Sequence, residues 1–189
     1  MAISPKEIHG NWDKGYALDV HTLSSEYIGD YPNGFPKYRT VRTELGELLY
    51  ELKYNQDFSK IQKIMCLIED FVIDNFKGKV NYVLPVPPTK KRRVQHMYEI
   101  ASEIAYLLNC GYSNCVLKNV SVGEAKNDNT QRKIVQTRNA SSKRNILLVD
   151  DITNTGNTAE ACVDVLKSDS NINKVYFLTL TVRRTAYRR

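Results

Sequence analysis

The chain has no run of about 18 apolar residues, the length a helix needs to cross a bilayer. Its opening residues, Met1-Ala2-Ile3-Ser4-Pro5-Lys6-Glu7, lack the apolar core of a secretory signal, so the expectation is a cytoplasmic protein without membrane attachment. The four cysteines (Cys66, Cys110, Cys115 and Cys162) include no C-x-x-C pair, and the three histidines (His9, His21 and His96) are far apart. A zinc site needs tighter spacing, so the cysteines read as reduced, buried thiols. No internal repeat and no Pro-rich linker divides the sequence. What remains is ordinary globular composition: 189 residues, 42% apolar and 25% charged, which disfavours disorder, collagen and coiled coil. That length predicts one compact domain, at most with an arm.

Lys and Arg total 27 against 21 acidic residues, a net charge of +6. Such a surface attracts polyanions, whether nucleic acid, an acidic partner or a phosphorylated small molecule, and does not choose among them.

Residues 1–36 are rich in Gly, Tyr and Asp, with a turn signal at Tyr31-Pro32-Asn33-Gly34, and read as a small irregular or hairpin arm ahead of a main domain over 37–189. Val41, Leu45, Leu48, Leu49 and Leu52 then fall at helical spacing, as do Ile61, Ile64, Met65, Ile68, Phe71 and Val72, with Asp57 placed to cap the second helix. From residue 79 strand and helix alternate. Val80 to Val86 is a strand, Met97 to Leu108 a helix, and Val116 to Val120 a strand; Ile146-Leu147-Leu148-Val149 is a strand covered on both faces, Ala159 to Leu166 a helix, and Val175 to Val182 a final strand. This order predicts an α/β fold, a single mostly parallel twisted sheet flanked by helices.

Ser121 to Arg144 is longer than most connections and carries Lys126, Gln131, Arg132, Lys133, Gln136 and Arg138. It is either a basic flap that closes over an anionic ligand or a plain surface loop.

The chemistry concentrates in Val149-Asp150-Asp151-Ile152-Thr153-Asn154-Thr155-Gly156-Asn157-Thr158, which runs from the buried strand into a helix. In an open parallel sheet, ligands bind beyond the carboxyl ends of the strands. The helix N-terminus offers unpaired amides and the positive end of its dipole, which favour a phosphate. Thr155 and Thr158 add hydroxyl donors, and adjacent carboxylates accept hydrogen bonds from vicinal sugar hydroxyls. Phosphate cradle plus diol acceptors specifies a ribose 5-phosphate group. A receiver domain also contains an apolar strand followed by Asp-Asp, but only 38 residues follow Asp151, too few to complete one.

This segment resembles the phosphoribosyl pyrophosphate (PRPP) motif of type I phosphoribosyltransferases, with Asn154 where Thr is usual. The wider pattern is similar to the ComF-like branch. Glu51-Leu52-Lys53-Tyr54 looks like its helix ending in Lys-Tyr, and Val83-Leu84-Pro85-Val86-Pro87 like its strand and pyrophosphate loop. The N-terminal four-cysteine zinc module often found there is absent. The likeness spans about residues 40 to 182.

That resemblance implies displacement of pyrophosphate from C1 of PRPP by a nucleophile, commonly a nitrogen, with Mg2+. Asp150 and Asp151 would hold the ribose hydroxyls, with the Mg2+ nearby through PRPP and water. Thr153, Asn154, Thr155, Gly156, Asn157 and Thr158 would hold the 5-phosphate. Pro88, Thr89, Lys90, Lys91, Arg92 and Arg93 would form the pyrophosphate side, with Lys126 and Arg132 as further candidates in the flap. His96 receives no role. Trp12, Tyr16, Tyr27 and Tyr31 read as packing residues, with a hood over an acceptor base as the alternative; Arg183, Arg184, Arg188 and Arg189 read as a solvated tail. The implied partners are PRPP and an acceptor small molecule, with a homodimer expected from the family. The competing function is a non-catalytic PRPP- or nucleotide-sensing module that contacts nucleic acid through its basic surface.

Overall fold

The computed structural model describes residues 3–88, 95–120 and 133–183. Its centre is a six-stranded sheet in the order β1-β2-β10-β9-β5-β6. The strands are β1 (Lys6–Ile8), β2 (Lys14–Val20), β5 (Tyr82–Pro85), β6 (Gly111–Tyr112), β9 (Arg144–Thr153) and β10 (Ile172–Val182). Five of the six run parallel, and β1 alone pairs antiparallel, with β2. The expected mostly parallel α/β sheet is present.

The unbroken apolar run in β9 is explained by its two covered faces. Leu147 and Val149 point into a core with Leu178 and Leu180, against α1 (Glu44–Tyr54), α2 (Lys60–Phe76) and α3 (His96–Leu108). Ile146 and Leu148 alternate to the opposite core with Phe177 and Trp12, under α4 (Asn157–Lys167). Period-2 side-chain alternation thus divides one strand between two helical layers.

Several expectations shift. The stretch read as an N-terminal arm supplies β2, which lies parallel to β10 with Ala17 opposite Thr179 and Val20 opposite Val182. Tyr16 packs edge-on to Phe71 and Phe76, 5.2 and 6.1 Å between ring centroids, and so belongs to the core. A hairpin does form, from β3 (Thr22–Asp30) and β4 (Pro36–Arg42), turning at Tyr31–Gly34 as the sequence signals. It carries Tyr27 and Tyr38 exposed. Val41 sits in β4 and not in the helix, because Thr43 caps α1 by accepting from the Gly46 amide at 3.0 Å. Asp57 does not cap α2: its carboxylate accepts from the amide and hydroxyl of Ser59 and closes the preceding turn. The expected strand near Val116 is β7 (Leu117–Asn119), which leaves the main sheet and pairs with β8 (Ile134–Gln136). Of the four cysteines only Cys162 is buried; Cys66 and Cys115 are exposed. Among the described residues no helix is long and apolar enough to cross a membrane.

Parallel pairing brings the carboxyl ends of β5, β9, β10 and β2 to one edge. Pro85 lies opposite Val149, Asp150 opposite Thr179, and Thr153 opposite Val182.

Candidate ligand site at the sheet edge

β9 carries the acid pair to this edge, and its last residues turn there into α4. The Asp150 carboxylate is spent locally. One oxygen accepts the Asp151 amide at 2.9 Å, and the other lies 3.5 Å from the Thr153 hydroxyl. Burial, reinforced by the charge of Asp151, pushes its pKa up to about 7, against the pull of the Asp151 amide and Lys53. Cys162 lies beneath on α4, fully buried, and burial together with the Asp150 charge pushes its thiol up as well, so it is inert.

Asp151 looks the other way. Its Oδ2 accepts from Lys53 Nζ at 2.8 Å, with both side chains about a quarter exposed. Lys53 stands in the last turn of α1, and its carbonyl lies 3.5 Å from His96 Nε2 at the start of α3. The Asp151 carbonyl accepts the Thr181 hydroxyl at 3.0 Å, which in turn lies 3.3 Å from His21 Nδ1. Burial and the cations Arg42 and Lys53 hold His21 below the usual histidine range. His21 is fixed between β2 and α1: its amide bonds Val182 O at 2.8 Å, and a Cβ on Gly46 would collide with its carbonyl. The site is therefore braced from β2, β9, β10, α1 and α3.

The turn into α4 opens a helix at the carboxyl end of the central sheet. Gly156 is the N-cap with φ +86°, left-handed backbone that L side chains rarely adopt. Gly156 carries no side chain with which to cap α4. Asn154, Thr155 and Asn157 are exposed, Thr158 half-buried, and Thr153 is folded inward at 8% exposure. Beneath the turn lies Trp12, 8% exposed, with its indole N–H donating to Ile8 O at 2.9 Å and its ring 4.6 Å from Phe177. A Cβ on Gly156 would stand 3.5 Å from that ring. Trp12 is thus a packing residue that supports the turn.

Chain continuity and sheet register bring together Asp150, Asp151 and residues 153–158. Half-buried Pro88 follows buried Pro87 just past β5, where the Val86 amide bonds Val149 O at 2.8 Å. Thr89, Lys90, Lys91, Arg92 and Arg93, and Lys126 and Arg132 in the flap, lie outside the described residues. Lys53, Thr181 and His21 carry no visible role in the sequence, because their importance comes from contacts across 30 to 160 residues of chain.

No protein-family model matches this chain, and no curated protein does. Solved structures do. Adenine phosphoribosyltransferase from Saccharomyces cerevisiae, complexed with an imino-altritol bisphosphate and adenine, aligns with a TM-score of 0.53 at 13% identity, over 87% of this chain and 88% of that one. Adenine phosphoribosyltransferase from Trypanosoma brucei, in complex with AMP, pyrophosphate and ribose-5-phosphate, aligns at 0.52 and 12% identity, over 98% of this chain and 89% of that one. The chain has the fold of these phosphoribosyltransferases.

Proposed function

We propose that this protein binds PRPP and transfers its phosphoribosyl group to a nitrogenous acceptor, releasing pyrophosphate. The observation that carries the reading is the β9–α4 junction: an acid pair at the carboxyl end of a central parallel strand, followed within five residues by a left-handed glycine that opens a helix N-terminus. The likeness to adenine phosphoribosyltransferases supports it at the level of fold. Within that fold the Lys53-Tyr54 helix end and the Pro85-Val86-Pro87 segment favour the ComF-like branch.

In this reading the amides of residues 153–158 and the hydroxyls of Thr155 and Thr158 hold the 5-phosphate, each hydrogen bond to the dianion contributing about 1.5–3 kcal/mol. The acid pair lies beside the ribose hydroxyls and supplies their acceptor. Pyrophosphate lies toward β5 and Pro88, and the basic residues of Thr89 to Arg93 would neutralise it. The C1–oxygen bond to pyrophosphate breaks with its electron pair, and the acceptor nitrogen supplies the pair for the new C1–N bond. Positive charge develops on the sugar ring between the two events, so positioning and electrostatics dominate. Lys126 and Arg132 would add positive charge for the leaving group.

The donor set fits a hydrated Mg2+. Two adjacent carboxylates, one of them occupied by Lys53, suit an ion that takes most of its ligands from phosphates and water. Among the described residues no third His, Cys, Asp or Glu completes a protein-only cage. Bound with PRPP, the ion would supply charge neutralisation to the leaving pyrophosphate; Asp150 and Asp151 would hold it through water.

The test is pyrophosphate release from PRPP across a panel of nucleobases and amines. Release with one acceptor class, lost in an Asp150→Asn/Asp151→Asn variant, supports transfer. Salt-dependent nucleic-acid binding with no release from any acceptor contradicts it and favours a sensing module.

A further inference from the structure

The two carboxylates are not equivalent, and the difference lies in their partners. Asp150 has both oxygens engaged within its own turn, with the Asp151 amide and the Thr153 hydroxyl. Asp151 accepts from one side chain, Lys53, through Oδ2 alone; among the described residues its Oδ1 has no hydrogen-bond donor. Lys53 is itself held through its backbone. It leaves the last turn of a helix that Thr43 caps and anchors to β2, the Thr43 hydroxyl donating to Val20 O at 2.7 Å. The carbonyl of Lys53 meets His96, whose ring packs edge-on to Phe58 with centroids 5.5 Å apart. The backbone of Asp151 is pinned from the opposite side by Thr181. A carboxylate clamped at one oxygen and at its carbonyl presents the other oxygen in a fixed direction.

We propose that Lys53 is a positioning residue that aims Asp151 at the sugar hydroxyls, so that Asp151 reads the ribose diol while Asp150 shapes the turn. This assignment rests on the proposed ribose-phosphate site and names which acid, held by which cation, recognises the sugar. Lys53 touches neither phosphate nor reacting atoms. Its effect passes through one 2.8 Å ion pair between half-buried partners. Solvent screening there is weaker than at the surface, so removing one partner releases the other. A phosphate-binding role for Lys53 is the competing possibility, and it makes the opposite prediction about which ligand loses affinity.

The experiment compares ribose 5-phosphate with 2-deoxyribose 5-phosphate by calorimetry on the full chain. It uses the wild type, Lys53→Gln, Lys53→Arg and Asp151→Asn. The wild type should prefer the ribose compound by about tenfold or more, the factor that one charge-assisted hydrogen bond supplies. Lys53→Gln and Asp151→Asn should lose that preference while binding the deoxy compound within about twofold of wild type, because the phosphate cradle is untouched. Lys53→Arg should restore most of it. Nitrogen-15 NMR of the lysine ammonium groups gives a readout without ligand: a slowly exchanging Lys53 signal in wild type, lost in Asp151→Asn. Equal preference in wild type and Lys53→Gln overturns the assignment and leaves the site reading standing. A parallel loss of both ligands in Lys53→Gln identifies Lys53 as a phosphate ligand and also overturns it. Absence of any binding by wild type overturns the ribose-phosphate site itself, and this assignment with it.

Discussion

Replacing Asp150 by Asn should stabilise the protein at alkaline pH and have little effect in acid. Asparagine keeps the carbonyl oxygen that accepts the Asp151 amide and removes the charge that burial opposes. In the folded chain this carboxyl is raised from 3.8 to about 7, first by burial and then by the charge of Asp151. The sign follows from proton uptake. Between about pH 4 and 7 the folded state keeps the proton and the unfolded state releases it, so stability falls as pH rises through that window. Below pH 4 both states are protonated and the wild type carries no penalty. Above 7 the penalty is complete.

The rise from 3.8 to about 7 corresponds to at most about 4 kcal/mol. Half of that is a fair expectation, since Asp150 is only half-buried and the solvent that reaches it screens its charge. A chain of this size moves about 2–4 °C in Tm per kcal/mol. The Tm of Asp150→Asn relative to wild type should therefore be about 4–8 °C higher at pH 8 than at pH 4. The assay is thermal unfolding of both proteins in matched buffers across that range. Taking the difference at each pH cancels the titration of every other group. A difference that stays constant with pH, or grows toward acid, refutes the reasoning.

Gly156→Ala should cost about 1–2 kcal/mol in urea unfolding through left-handed backbone strain and weaken ribose 5-phosphate binding, with Gly156→Asn losing less on both counts. Trp12→Ala should cost about 3–5 kcal/mol by the same assay, because it removes the ring that fills the space between Phe177 and the Gly156 turn. Maleimide labelling of the native protein, read by mass spectrometry, should modify Cys66 and Cys115 and leave Cys162 untouched until denaturant is added.

The sequence carries those parts of this design that depend on near neighbours. Leu147 to Val149 are apolar without interruption because both faces of β9 are covered, and the same fact places Asp150 and Asp151 at a strand end. Gly156 is readable because a left-handed turn before a helix favours glycine over other residues. What the sequence hides is long-range pairing. Residues 14–20 carry no clean alternation, with Ala17, Leu18 and Asp19 buried in succession, and join the sheet through β10, some 160 residues away. Ile134 to Gln136 is a strand only because Leu117 to Asn119 lies opposite it. Lys53 looks like any basic residue in a last helical turn until folding carries it across 98 positions to Asp151.

Titration of the nitrogen-15-labelled protein with ribose 5-phosphate and Mg2+, followed at the backbone amides, tests the site most directly. The account predicts saturable shifts that are largest at Thr155, Gly156, Asn157 and Thr158, with smaller ones at Asp151. Millimolar ligand that leaves those four amides unmoved, or moves only amides distant from the β9–α4 turn, contradicts it.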